Sequence, residues 1–265
     1  MDLELQDKVA IVTGGSDGIG KAAALGLARE GAKVTMCARR EEVLQQAARE
    51  IQEKTGGTVL PIPADVTRPA DIERVVSGTL ERFGRIDILV NNAGTAVAQP
   101  FEETSDEDWA ADLDLKLYAA IRFSRLVIPH MRRVGGGRII NVTTIGGKAP
   151  PAASVPTSTS RAAGIGLTKA LSKELAKDNI LVNTVCIGVI KSGQHERRYQ
   201  RARAQNPQLT VEEYYRQTVD RRQIPLGRIG EAQEAGDVIV FLASGRASYL
   251  TGIAVNIDGG ASPVV

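Results

Sequence analysis

The sequence predicts an α/β fold, a parallel sheet wound from βαβ units, and two observations carry that expectation. Short apolar, β-favouring runs alternate with longer stretches at helical spacing from the first residues to about residue 190, the order of strand, crossover helix and parallel strand. Most of the runs are unbroken rather than alternating apolar with polar, as strands covered by helices on both faces require. At 265 residues with 43% hydrophobic and 24% charged side chains, the chain is neither disordered nor fibrous and has material for a sizeable core. One domain spanning 1–265 is expected.

In order, the strands are placed at 8–13, 33–38, 58–64, 86–91, 137–143, 180–186 and 253–257. The crossover helices are placed at 20–30, 41–54, 69–83, 106–133, 160–177 and 231–243, each rich in Ala, Leu, Glu, Lys or Arg. Gly31, the pair Gly56 and Gly57, and Gly84 stand where a left-handed residue ends a helix. Residues 191–228 break the alternation with a dense run of Arg, Gln, Glu and Tyr, including Tyr199, Tyr214 and Tyr215. This segment is expected to be a helical insertion. Following the carboxyl end of a strand, it would lie over the crevice where open α/β sheets bind ligands, as a substrate lid; the alternative is a solvated oligomer contact.

The charge balance excludes some partners. Thirty-three basic against 31 acidic residues leave a formal charge of +2, too weak a field to imply nucleic acid or an anionic membrane surface. Cys37 and Cys186 are too few and too far apart for a metal framework, so no metal is expected, and both read as buried reduced thiols of a cytoplasmic chain. The N-terminus is acidic where a secretory leader would be basic and then apolar, and no apolar run is long enough to span a membrane.

The first strand runs directly into Gly14-Gly15-Ser16-Asp17-Gly18-Ile19-Gly20 and then an Ala-rich helix. Glycine permits positive φ and leaves no Cβ between backbone N–H groups and a pyrophosphate, while the helix N-terminus adds partial positive charge. A plain tight turn is the alternative, but the strand–loop–helix context is the one a dinucleotide site needs. Where an acidic residue would take the ribose hydroxyls after the second strand, Arg39 and Arg40 follow Ala38. A guanidinium there suits a 2′-phosphate, so NADP is favoured with NAD possible; otherwise the two arginines begin a helix in solvent.

With these motifs, the chain resembles the short-chain dehydrogenases/reductases, particularly the 3-oxoacyl-carrier-protein-reductase-like branch, over nearly its whole length. The likeness rests on Thr13-Gly14-x-x-x-Gly18-x-Gly20, Asp65-Val66, Asn91-Asn92-Ala93-Gly94 and the run from Gly137 to Val142. The stretch 162–177, Val182-Asn183, Tyr249-Leu250-Thr251-Gly252 and Asp258-Gly259-Gly260 extend it. The resemblance implies a seven-stranded doubly wound sheet, a homotetramer or dimer, NAD(P) binding, and hydride transfer between nicotinamide and a carbonyl or secondary alcohol on a small molecule. It implies that Ser16, Asp17 and Ile19 join the glycines at the phosphates and that Asp65 and Val66 face the adenine. Asn92, Ala93 and Gly94 would support the middle of the cofactor, and Gly188 and Ile190 would line the nicotinamide.

The family's proton relay of Asn, Ser, Tyr and Lys is absent. The Tyr-x-x-x-Lys position reads Thr157-Ser158-Thr159-Ser160-Arg161, the serine position holds Thr144, and the asparagine position, seven residues after Trp109, holds Lys116. Thr144 keeps a hydroxyl that can polarise a carbonyl. Thr157 is an aliphatic alcohol, far too weak an acid to donate a proton at neutral pH as a phenol can, so the standard relay is broken. Arg161 keeps a charge that can hold ribose hydroxyls but does not exchange protons as lysine does. Lys116 can titrate, because repulsion from Arg161 and desolvation would push its ammonium down. It is therefore the candidate acid/base, with Thr144 and Thr157 as supports, unless it points away or pairs with Asp112 or Asp114. His195, in the lid, is a second acid candidate or a solvated histidine; His130 reads as solvated and Trp109 as a packing residue. Three readings stay open: an NADP-dependent oxidoreductase with an altered relay, a nucleotide-binding pseudoenzyme, and non-redox chemistry such as that of the halohydrin dehalogenases, which retain the tyrosine and lose the glycine loop.

Overall fold

The computed structural model describes residues 1–265. A parallel seven-stranded sheet forms from β1 (Val9–Thr13), β2 (Lys33–Ala38), β3 (Val59–Pro63), β4 (Ile88–Asn91), β6 (Gly137–Thr144), β8 (Ile180–Ile187) and β9 (Ala254–Ile257). Their order across the sheet is β3-β2-β1-β4-β6-β8-β9, every pair parallel. Strand order reverses between β1 and β4, and that switch point leaves a crevice at the carboxyl ends of the strands.

Alternation along each strand feeds two cores. Ala10, Val12, Ile88, Val90, Ile140 and Val142 face one layer, formed with α1 (Gly18–Arg29), α2 (Glu41–Thr55) and α9 (Ala232–Ala243). Ile11, Leu89 and Ile139 face the other, covered by α3 (Pro69–Phe83), α5 (Ala119–Arg133) and α6 (Thr157–Leu175). The small residues of α1 let it lie close to α9: a Cβ on Gly26 would come within 2.7 Å of Val240 Cγ2. Phe123 is 1% exposed at the centre of the second layer, where truncation to Ala would cost about 3–5 kcal/mol. Both cysteines are buried and free, and burial pushes the Cys37 thiol up to about 12.

Gly31, Gly56 and Gly84 hold positive φ after α1, α2 and α3; Gly57 does not. The helix expected over 106–133 is interrupted. α4 (Asp106–Leu113) passes through a π turn at Asp114–Tyr118, in which the Ala119 N–H reaches back to Asp114 O, before α5 begins. A short antiparallel pair, β5 (Ala98–Gln99) with β7 (Val155–Pro156), was not legible in the sequence because each strand has only two residues. The insertion contains α7 (Gly193–Gln205) and α8 (Val211–Arg222), joined by packing of the Tyr199 and Tyr214 rings at 5.7 Å. Tyr199 also donates its hydroxyl to Leu209 O at 3.2 Å. No helix is long and apolar enough to cross a membrane.

Candidate active site

The loop after β1 is tied to the end of β4. Thr13 Oγ1 accepts from the N–H groups of Asn92 at 2.9 Å and Ala93 at 3.0 Å, and Asn92 Nδ2 donates to the carbonyls of Thr13 and Gly14. Gly14 and Gly18 hold φ of +66° and +52°, the left-handed region in which a Cβ is disfavoured. Gly20 acts differently: a Cβ there would lie 2.3 Å from Gly14 O, so this glycine permits close packing of helix on loop and does not line the cavity. One oxygen of Asp17 accepts from Gly18 N–H at 2.6 Å, and the other accepts from Gly193 N–H at 3.1 Å, joining the loop to the start of α7.

A cavity of about 1290 Å³ opens over the carboxyl ends of the strands, larger than the roughly 300–1,000 Å³ typical of a single small-ligand pocket. Gly14, Ser16, Asp17, Gly18 and Ile19 line one wall, with Arg39 and Arg40 exposed beside them and Asp65 and Val66 next along the sheet. Asn92, Ala93 and Gly94 continue the floor, and Gly188 and Ile190 close the far side. Asp65 accepts from the N–H and hydroxyl of Thr67, bonds that hold its carboxyl below the ordinary value against the opposing effect of burial.

Thr144, Thr157 and Arg161 also line this cavity, whereas Lys116 does not. The π turn carries Lys116 behind the cavity floor, where its side chain is fully covered. There its ammonium donates to Thr157 Oγ1 at 2.8 Å and forms an ion pair with Asp112. The Asp112 carboxylate accepts from Ser160 Oγ at 2.6 Å. Thr157 Oγ1 in turn donates to Val97 O and accepts from Val97 N–H at 3.0 Å, joining α6 to the chain entering β5. Burial first, and the positive charge of Arg161 second, push Lys116 down to about 8 against the opposing pull of Asp112. Of the two aspartates that spacing offered Lys116, Asp112 is the partner, while Asp114 pairs with Arg122 at 2.7 Å. Lys116 thus reaches the cavity only through Thr157.

Arg161 is 9% exposed and donates Nη1–H to Val142 O at 2.8 Å, leaving its Nε buried without a partner. Burial pushes it down to about 10, so it stays charged at neutral pH. A Cβ on Gly94 would lie 2.6 Å from its Nη2, so glycine at 94 makes room for the guanidinium. Thr144, at the end of β6, spends its hydroxyl on no capping bond to the turn that follows.

Sequence reasoning missed Ser160 and the β5–β7 pair; the i, i+4 spacing of Asp112 and Lys116 was the available signal for their contact. The solvated reading of His195 is corrected: it lies half-buried on the cavity wall with Nδ1 covered and partnerless. Burial, then Arg198 and Arg222, push it down to about 4, so at neutral pH the ring is uncharged. His130 bonds Arg133 away from the cavity. Trp109 is half-exposed and also off the cavity wall. No cluster of three His, Cys, Asp or Glu side chains is spaced to hold a metal ion.

The family model for short chain dehydrogenases matches residues 8–203. A 3-oxoacyl-[acyl-carrier-protein] reductase of Thermotoga maritima is 36% identical over 97% of this chain and 99% of its own length. Among solved structures, L-sorbose reductase from Gluconobacter frateurii, complexed with NADPH and L-sorbose, superposes with a TM-score of 0.96 at 36% identity, covering 100% of both chains. A short chain oxidoreductase from Pseudomonas aeruginosa PAO1 containing an atypical catalytic center gives 0.93 at 34% identity, covering 99% of this chain and 100% of the other. With its sheet order, glycine loop and switch-point cavity, this chain belongs to the short-chain dehydrogenase/reductase family.

Proposed function

We propose that the protein is an NADP(H)-dependent oxidoreductase that interconverts a carbonyl and a secondary alcohol, with Lys116 acting as the proton reservoir through Thr157. The observation that carries this reading is the 2.8 Å hydrogen bond from a buried, readily titrated ammonium to a hydroxyl on the cavity wall.

The residues present fit the dinucleotide. The glycine loop leaves backbone open at the N-terminus of α1, Arg39 and Arg40 are exposed and without ion-pair partners where a 2′-phosphate would sit, and the partnerless Nε of Arg161 suits a ribose hydroxyl. The P. aeruginosa relative has also been solved with NADPH bound. When bound, the nicotinamide supplies or accepts the hydride. Thr144 donates its hydroxyl to the substrate oxygen and polarises it. Thr157 passes its proton to that oxygen as negative charge develops there, and Lys116 replaces the proton on Oγ1 in the same movement. An alcohol of pKa far above neutral therefore never bears full negative charge. Asp112, held by Ser160, keeps the lysine aimed at Oγ1. In alcohol oxidation the same protons run backwards. Residues 191–228 act as the lid over this chemistry, fastened at Asp17.

One observation favours a nucleotide-binding protein without turnover: the Thr157 hydroxyl is already engaged with Val97 and Lys116, and it must release Val97 O to reach a substrate. Fluorescence titration with NADPH and NADH, followed by a carbonyl and alcohol panel read by NADPH absorbance, separates the readings. The oxidoreductase reading expects tight NADPH binding and turnover that Lys116→Met abolishes. Binding without turnover on any compound supports the alternative, and turnover unaffected by Lys116→Met removes the lysine from the mechanism.

A further inference from the structure

The lid end of the cavity carries positive charge that the proposed reaction does not use. Arg198 and Arg222, on α7 and α8, line the cavity from exposed positions, both close enough to His195 to lower its proton affinity, and make no ion pair. Arg198 donates Nη2–H to Ala96 O at 3.4 Å, one residue from the Val97 backbone that binds Thr157. This guanidinium therefore spans from the lid to the edge of the reacting corner.

Nothing on the cavity wall neutralises the pair. The only carboxylates lining the cavity are Asp17 and Asp65, and both are engaged elsewhere, Asp17 with Gly18 and Gly193 and Asp65 with Thr67. Arg197 belongs to the phosphate-loop side, its Nη1 lying 3.3 Å from the position of a Cβ on Gly193. Arg39 and Arg40 stand at the end of β2, where the 2′-phosphate is proposed to sit. Unpaired guanidinium groups in a concave wall focus a positive potential, and their planar forks match carboxylate and phosphate oxygens. His195 lies on the same wall, its Nδ1 covered and without a partner.

We propose that the substrate is an anionic carbonyl compound or alcohol, its carboxylate or phosphate held by Arg198 and Arg222 while its carbonyl oxygen meets Thr144 and Thr157. This rests on the oxidoreductase reading for the carbonyl but not for the anion. An anion at this place offsets the repulsion between the two arginines. It also ties the lid to the substrate, so that closure depends on the charged group.

The test is calorimetric titration of the NADP⁺-loaded protein, which cannot reduce a ketone, at low salt with two matched pairs, levulinate against methyl levulinate and dihydroxyacetone phosphate against dihydroxyacetone. The first pair reports carboxylate recognition and the second phosphate. At least one anion is expected to bind about tenfold or more tightly than its uncharged partner, with the margin shrinking as salt is added. In the Arg198→Met/Arg222→Met double variant the margin falls below about threefold. Equal binding within both pairs, or a margin unchanged in the double variant, overturns the proposal. So does a parallel loss of NADPH affinity in that variant, which would reassign the arginines to the nucleotide. Failure of the oxidoreductase reading shows separately, as absence of NADPH oxidation by any carbonyl while the anion margin persists.

Discussion

The two ends of the cavity lie over the carboxyl ends of one sheet, yet their polar groups are committed in opposite ways. At the nucleotide end the work falls to backbone: positive-φ glycines and the start of α1, with Arg39 and Arg40 waiting unpaired. At the end proposed to carry the reaction, Lys116, Asp112, Ser160 and Thr157 bond one another and the chain at Val97; Arg161 keeps a partnerless Nε, and Thr144 makes no cap bond. The difference teaches that buried polar side chains on this scaffold are satisfied by one another, whereas the exposed arginines beside the glycine loop are left open to solvent. A buried lysine left without Asp112 would be an unpaired charge, costing several kcal/mol or losing its proton.

The sharpest way to break this comparison is Lys116→Met. If proton supply resides there, turnover should fall about 10²- to 10⁴-fold, while the NADPH dissociation constant, read by fluorescence, changes less than about twofold. An equal loss of both would erase the distinction between the two ends. The reciprocal change is Gly20→Ala, which forces a Cβ into Gly14 O. NADPH affinity should drop about a hundredfold as the loop is displaced, in protein whose circular dichroism is otherwise normal.

A smaller effect is expected from Arg39→Ala/Arg40→Ala. Loss of charge-assisted bonds to a 2′-phosphate should weaken NADPH about tenfold or more and leave NADH nearly unaffected, as competitive titration would show. Smaller again in rate, Asp112→Asn removes the one influence that raises Lys116. The break in the pH–rate profile should then move about one unit toward acid, with a melting temperature several degrees lower. A profile that stays in place would show that Asp112 does not set the lysine's proton affinity.

Sequence and structure agree best where backbone decides. The seven strands, the phosphate loop and the capping glycines Gly31, Gly56 and Gly84 were legible because apolar periodicity and glycine positions encode local geometry directly. Lys116 was identifiable by its place in the chain, but its position behind Thr157 was not. A regular helix over 106–133 would have hidden the π turn, since i→i+5 bonding leaves no residue-type signature in this run of Asp, Leu and Lys. Ser160 became visible only through its contact with Asp112 across 48 positions of sequence. His195 read as solvated because an Arg-rich helix suggests exposure, and only the fold shows which of its faces turns inward.

The pH dependence of carbonyl reduction at saturating NADPH tests the central claim most directly. Lys116 must hold its proton to resupply Thr157, so the rate should be level below the lysine's value of about 8 and fall tenfold per unit above it, with alcohol oxidation showing the opposite limb. A profile that runs flat through this region, or one whose break survives in Lys116→Met, would contradict the account.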